Sequence, residues 1–297
     1  MENWDDMRVF LAVARGESLS GAAKRLRVDP ATVGRRIARL EDKMGGVLFV
    51  KSPQGYALTD LGARVETHAT LAEGAFALAF EETQGTSETL SGQIRVGAPD
   101  GSANYLLPQV CAAITRENPD LEVQILALPR VVNLSKREAD MAVTVSPPTA
   151  GRMTVQKIAD YKLHLAASET YLDSCAPVTT LEDLQSHPIV GYIPDMIFDK
   201  ELDYLNEMGL TRVPLASNSV SVQLNMLRQG GGVGVAHDFA MPLIGGLQKV
   251  LADQVSLTRG FYLVRHDSDK RVERLTRFAK ALTTGMRAEI ARLEALA

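Results

Sequence analysis

The chain has 297 residues, of which 45% are hydrophobic and 23% charged, the balance of an ordinary globular protein rather than a disordered, collagen-like or fibrous one. That length suits one large domain or two to three smaller ones. The net charge of -4 hides a local excess: Arg15 to Lys51 carries nine bases against four acids, or +5, the footprint of a small nucleic-acid-binding module on an otherwise acidic chain.

Trp4, Met7, Phe10, Leu11 and Ala14 recur at spacings of three and four, which predicts an amphipathic helix that Gly16 ends. A second helix is predicted from Ser18, its N-cap, to Leu26, with the small inner residues Ala22 and Ala23 permitting close approach by a neighbour. Asp29 before Pro30 reads as an N-cap followed by proline at the first helical position. The third helix carries Val33, Ile37, Leu40 and Met44 as an apolar stripe, so Thr32, Arg35, Arg36 and Arg39 point elsewhere and form a candidate groove-reading face. After Gly45-Gly46, the segment from Val47 to Leu58 turns at Ser52-Pro53-Gln54-Gly55, which predicts a short hairpin, a wing with the basic Lys51 on it.

Thr59 to about Thr83 reads as a long alanine-rich helix with Leu61, Val65, Ala69, Ala72, Phe76 and Ala79 along one side. Such a seam has no domain of its own to cover it, and pairing with a second copy is the expected solution. The polar run Gln84-Gly85-Thr86-Ser87-Glu88 breaks the helix, which places a domain boundary near residue 90. Beyond it, strand signals at Ile94 to Ala98, Leu121 to Leu128, Met141 to Val145, Leu163 to Ala167, Ile189 to Ile193, Leu215, Gly232 to Ala236 and Phe261 to Val264 alternate with helix signals. The helices fall around Leu106 to Arg116, Lys200 to Met208 and Val222 to Leu227, and a closing helix runs from about Asp269 to Ala297. This alternation predicts an α/β domain with mainly parallel strands.

Cys111 and Cys175 stand far apart without a CxxC pair and read as small buried hydrophobes, not as a disulfide or metal ligands. Met1 to Arg8 holds acids and a tryptophan where a signal peptide needs bases and then an apolar run, and no stretch approaches the ~20 apolar residues of a membrane span. The expected location is the cytoplasm, with no membrane partner. Gly230 to Gly234 lacks GxGxxG spacing and reads as a tight lead into a buried strand. His68, His164, His187, His237 and His266 show no HExxH spacing, and no GxSxG elbow occurs. No catalytic residue, metal site or cofactor is expected.

The run FLAVARGESLSGAAKRLRVDPATVGRRIARLEDKMGGVLFVKSPQGYALTDLG, from Phe10 to Gly62, resembles the N-terminal domain of LysR-type transcriptional regulators through its Ser-Leu-Ser-x-Ala-Ala-x-Leu core, its Val-x-x-x-x-Val-x-x-x-Ile-x-x-Leu-Glu spacing, and the closing Leu-Phe and Leu-Thr-x-x-Gly. The resemblance implies that Ala31, Thr32 and Arg35 face bases, that Arg36 takes a position commonly held by Gln, and that Lys51 is the wing contact; Ser18 and Arg39 complete the candidate DNA-binding residues. Two departures are Gly34, where Ser is frequent, and Asp29-Pro30 in place of Gln-Pro.

Weaker resemblance continues through GQIRVGAP, LLPQVCAAITRENPDLEVQI, READMAVTV and QGGGVGVAHDF. It implies an all-α winged helix-turn-helix domain at 1-60, a linker and dimerisation helix with hinge at 61-90, and an α/β effector-binding domain at 91-297. The last resembles a periplasmic binding protein, with one subdomain of 91-160 and 267-297 and another of 161-266. A small molecule then sits in the cleft between these, where strand ends and helix N-termini leave N-H groups for a ligand. The matching positions are Asp100, Gly101 and Ser102, then Ser146 and Ile193, then Asn218, Ser219 and Val235. Asp100 stands where the family often has Ser or Thr, an acid in the positive field of a helix end, which predicts an effector that is neutral or carries an amine.

The resulting expectation is a ligand-responsive regulator that binds double-stranded DNA at a split palindrome as a homodimer or homotetramer. An architectural DNA binder with a vestigial second domain, and a small-molecule-binding protein or enzyme, are the alternative readings.

Overall fold

Two side-chain caps punctuate the first fifty residues and divide them into three helices. A computed structural model describes residues 4-52, 55-83, 89-128, 134, 138-148 and 151-297. Helix α1 (Trp4–Gly16) is followed by α2 (Leu19–Leu26), whose N-cap Ser18 accepts the Gly21 N-H at 3.2 Å, and by α3 (Pro30–Met44), whose N-cap Asp29 accepts the Ala31 N-H at 2.8 Å. Each cap satisfies a donor that the helix itself leaves free. The helices enclose a core of Phe10, Leu11, Val13, Ala22, Ala23, Val33, Ile37 and Leu40, closed by Leu48 and Phe49.

Strands β1 (Phe49–Ser52) and β2 (Gly55–Leu58) pair antiparallel, with Lys51 opposite Tyr56. Pro53 and Gln54 at the expected turn lie outside the described residues. The hairpin is tied down at both ends: the Tyr56 N-H donates to Glu17 O at 2.8 Å and the Leu48 N-H to Glu41 Oε1 at 2.7 Å.

Helix α4 (Asp60–Thr83) starts at Thr59, whose hydroxyl accepts the Gly62 N-H at 3.0 Å and donates to Val47 O at 2.7 Å. A Cβ on Gly62 would lie 2.2 Å from Leu48 O, which gives the Leu-Thr-x-x-Gly spacing its steric reason. Gly62→Ala is therefore expected to lower stability by about 2 kcal/mol. Gly34→Ala is expected to raise it by about 0.5–1 kcal/mol, since a Cβ there meets only Leu19 Cδ1, at 3.7 Å. Urea denaturation of the two variants, read by the Trp4 fluorescence, checks both signs.

The apolar seam of α4, expected from sequence to lack cover within its own chain, is partly covered by the three-helix core. Ala69 is buried in the three-helix core and Leu61 and Val65 pack against it, while Phe76 meets Trp4 at a ring separation of 4.8 Å and stays 49% exposed. The side chain of Ala79 lies outside those described.

The C-terminal unit begins with β3 (Gly92–Ala98), α5 (Asp100–Tyr105), α6 (Leu107–Glu117), β4 (Leu121–Ala127) and β5 (Met141–Thr144). It continues through β6 (Met153–Ser168), α7 (Glu169–Leu172), β7 (Ile189–Gly191), α8 (Tyr204–Glu207), β8 (Leu215–Ala216), α9 (Val220–Arg228), β9 (Val233–His237) and α10 (Met241–Ile244). Then come β10 (Leu247–Val250), β11 (Leu257–His266) and α11 (Glu273–Glu294). Among the described residues, nine strands form one sheet in the order β4-β3-β5-β11-β6-β9-β7-β8, with β10 on β6.

That sheet is mixed, where mainly parallel strands were expected. The pairs β3–β4, β3–β5, β7–β8 and β7–β9 are parallel, but β6 runs antiparallel to β9, β10 and β11. The 16-residue β6 and 10-residue β11 pass through both lobes side by side, Asp160 opposite Gly260, and β11 goes on to pair with β5 from Tyr262. The short connections among β9, β10 and β11 leave no room for a parallel crossover, which needs a dozen residues or more. The return crossing thus comes at Gly260–Phe261, ahead of the expected His266.

Two expected helices also differ. Lys200 to Met208 forms a 3₁₀ turn at Lys200–Leu202 and the single-turn α8, because Asp203, at φ -86° and ψ 49°, leaves the helical region between them. The closing helix starts at Glu273, after a 3₁₀ turn at Asp267–Arg271. Cys111 is buried, its thiol pushed up to about 11 by that burial, whereas Cys175, expected inside, is half-buried.

Candidate nucleic-acid interface and ligand cleft

The four polar residues expected to face outward from α3 split into two pairs. Ala31 and Arg35 are exposed and Thr32 half-exposed. The Arg35 guanidinium rests on Thr32, donating to its Oγ1 at 3.0 Å. Arg36 and Arg39 instead turn back onto α1: Arg36 Nη1 pairs with Asp5, and Arg39 donates through Nε to Asp6 Oδ2 at 2.8 Å and through Nη2 to Asp6 Oδ1. Asp6 is only 1% exposed, so its charge requires a partner, and this hydrogen bond raises the Arg39 guanidinium above its ordinary value.

Sequence reasoning missed this use of Arg36 and Arg39. The available signal was the Asp5-Asp6 pair in the first turn of α1, acids that also favour the positive end of that helix. Ser18 is occupied as the α2 cap, and Lys51 stands exposed on β1. A free, basic Thr32–Arg35 face at the start of a helix, beside a two-stranded wing carrying a lysine, is a shape that fits the major groove and the adjacent phosphates.

In the C-terminal unit the expected cleft residues bond to one another across the two lobes. Ser219 Oγ (3.0 Å), the Ser221 N-H (2.9 Å) and Ser221 Oγ (3.0 Å) all donate to one carboxylate oxygen of Asp100, and Asn104 Nδ2 donates to the other at 3.0 Å. The Asp100 carboxylate thus sits at the N-terminus of α9, not on a ligand-facing surface of its own helix. The Ser146 hydroxyl bonds to Asp199, a second tie between lobes.

Gly101 faces α9, where an added Cβ would make only ordinary contact with Val220, 3.5 Å from its Cγ1. Ser102, expected as a polar contact, is fully buried and donates to Pro99 O at 3.1 Å, so it braces the turn. Asn218 and Ile193 are half-buried, and Val235 lines a cavity of about 520 Å³ in the second lobe. Ser221 and Asp199 were not anticipated; the run Ser217-Asn218-Ser219-Val220-Ser221 was the only trace of the first in the sequence.

Residues 4–63 match the family model for bacterial regulatory helix-turn-helix proteins of the LysR family, and residues 87–287 match that for the LysR substrate-binding domain. The chain belongs to the LysR family of transcription regulators. Among curated LysR proteins it is similar to the HTH-type transcriptional regulator PtxR of Pseudomonas aeruginosa, 25% identical over 242 residues that cover 80% of this chain and 77% of PtxR.

Its fold is that of full-length LysR structures. OxyR from Pseudomonas aeruginosa superposes with a TM-score of 0.71 at 18% identity, covering 97% of this chain and 95% of OxyR. LysG from Corynebacterium glutamicum, with arginine bound as effector, does so with a TM-score of 0.63 at 18% identity, covering 96% and 98%. Those folds agree with the expected winged helix-turn-helix, linker helix and two-lobed α/β domain. No described helix is long and apolar enough to cross a membrane, and no group of three or more His, Cys, Asp or Glu among the described residues is arranged to hold a metal ion.

Proposed function

We propose that this LysR regulator binds a split palindromic operator as a homodimer or homotetramer, reading bases through Thr32 and Arg35 and gripping phosphate through Lys51, and that it answers to a small effector without catalysing a reaction. The working parts are residues 1–60, 61–90 and 91–297, in the cytoplasm. The observation that carries the reading is the division of labour on α3: Arg36 and Arg39 are tied to Asp5 and Asp6 of α1, which leaves Thr32 and Arg35, bonded to each other, as the pair not tied to α1.

The effector is proposed to be neutral or to carry an amine, because Asp100 already fills the positive field at α9 that an anionic group would use.

Selection of bound fragments from sheared genomic DNA tests the first part. The wild type is expected to enrich intergenic sites with a split palindrome, and Arg35→Ala to bind them about 10- to 100-fold more weakly, with relaxed preference at the contacted base. Arg36→Ala is expected to keep the sequence preference and to lose thermal stability instead. Recovery of DNA without sequence preference, with affinity falling steeply with salt in both variants, favours the architectural reading.

A further inference from the structure

Thr32, Arg35, Arg36 and Arg39 all start from one side of α3. Successive residues of a helix turn by about 100°, so Arg36 stands about 40° around the axis from Thr32, one turn further on, and the four positions span only about 100° together. By helical angle Arg36 belongs beside the Thr32–Arg35 pair. Its guanidinium is drawn aside by an acid of another helix: Nη1 pairs with Asp5 Oδ2 of α1. The other oxygen of Asp5 takes Arg8, from Nε at 3.1 Å and from Nη2 at 2.9 Å.

The two acids of α1 are not equivalent. Asp6 is 1% exposed, accepts two bonds from Arg39 and lies 4.0 Å from Lys43 Nζ. Release of Arg39 would strip a buried charge of its bidentate partner, a costly event. The side chains of Asp5 and Arg36 are 40% and 29% exposed, so water reaches both when their pair opens, and Arg36 leaves at a far smaller cost than Arg39. A carboxylate at position 5 therefore decides where a mobile guanidinium next to the reading pair lies. An arginine freed there has a ready use, since its fork matches O6 and N7 of guanine in the major groove.

We infer that Asp5 is a specificity-determining positioning residue: it holds Arg36 against α1 and so confines base reading to Thr32 and Arg35. The inference rests on the proposed reading of DNA by α3. With a neutral residue at position 5, Arg36 comes into line with Thr32 and adds a guanine contact to each half-site.

The test uses the full-length protein and duplexes in which each base pair of its selected half-site is varied in turn. Asp5→Asn is expected to gain about a tenfold preference for guanine at one position next to the base pair at which Arg35→Ala relaxes selection. Arg36→Ala in the same background is expected to abolish that gain, the coupling that a double-mutant cycle measures. Asp5→Asn also frees Arg8, so Asp5→Asn with Arg8→Ala is expected to keep the new preference. Asp5→Glu retains the charge and is expected to select as the wild type does. A role of Asp5 in folding alone weakens all duplexes alike and moves no base preference, which overturns the inference. A gain that persists without Arg36 overturns it too. So does a tighter, more salt-dependent affinity with no new base preference, because the freed charge then meets only phosphate. A wild type that binds every duplex equally overturns the reading by α3 itself, whereas a selective wild type whose Asp5→Asn variant selects the same bases overturns only the role of Asp5.

Discussion

Asp100→Ala is expected to lower the stability of the C-terminal domain by about 3 kcal/mol and to make it formate-dependent. One carboxylate oxygen accepts three hydrogen bonds from Ser219 and Ser221, and bonds to charged groups contribute roughly 1.5–3 kcal/mol each. Part of that sum is returned because Asp100 is only half-buried and water reaches the freed donors. The α9 N-terminus then stands with open N-H and hydroxyl donors in a positive field, and a small carboxylate fits there. Thermal melts in ~50 mM formate are expected to recover several degrees in the variant and nothing in the wild type, following the mass-action gain of a ligand bound only to the folded state. An Asp100→Ala protein as stable as the wild type, or one indifferent to formate, shows that the carboxylate does not tie the lobes.

The same geometry bears on how the cleft senses its effector. Two acids of the chain, Asp100 and Asp199, bond to hydroxyls of the opposite lobe, at Ser219 and Ser221 for the first and at Ser146 for the second. An effector entering between the lobes has to exchange these contacts for its own, and only a ligand that interacts differently with the two arrangements shifts the balance between them. Hydroxyls and amines can replace what the serines provide to the acids. A carboxylate has to compete with an acid that is covalently held in place.

The N-terminal domain was legible because its signals are local. Ser18, Asp29-Pro30 and Gly45 each mark a helix end through a property of the residue itself, and the stripe of Val33, Ile37 and Leu40 needs only the helical period. The ion pairs of Arg36 and Arg39 were not foreseen because their partners, Asp5 and Asp6, are 31 and 33 residues away, and helical periodicity shows which face a residue occupies but not what arrives there.

Strand β6 was seen only at Leu163 to Ala167, where both faces are covered. Its first half, where Val155, Gln156 and Lys157 are exposed in succession and Asp160 follows, neither alternates nor offers an apolar run to read. The short β10 escaped for a similar reason, being only four residues long. The glycine run was understood in kind, and the structure supplies its cause: a Cβ on Gly232, at φ +128°, would lie 2.0 Å from Pro188 O, and one on Gly234 would lie 2.4 Å from Val190 O. The cavity beside β7 had no sequence signature, since its lining comes from five separate segments that read individually as core.

His237 gives the fold a loss of stability in acid that a single substitution removes. Its imidazole is fully buried among Tyr161, Tyr204 and Phe239, and burial lowers it from 6.5 to about 4, a shift that the nearby carboxylates Asp238 and Asp100 oppose without cancelling. The unfolded chain takes up a proton at this histidine below pH ~6.5 while the folded chain does not, so the folded state is at full advantage above that value and loses ground as pH falls. The slope reaches about 1.4 kcal/mol per pH unit and persists to about pH 4, a total of roughly 3 kcal/mol from this group. Urea denaturation at pH 7.0, 5.5 and 4.5 is expected to show that decline in the wild type and a shallower one in His237→Phe, which fills the same aromatic stack without a titrating nitrogen. An identical acid slope in the two proteins assigns the loss to the carboxylates instead.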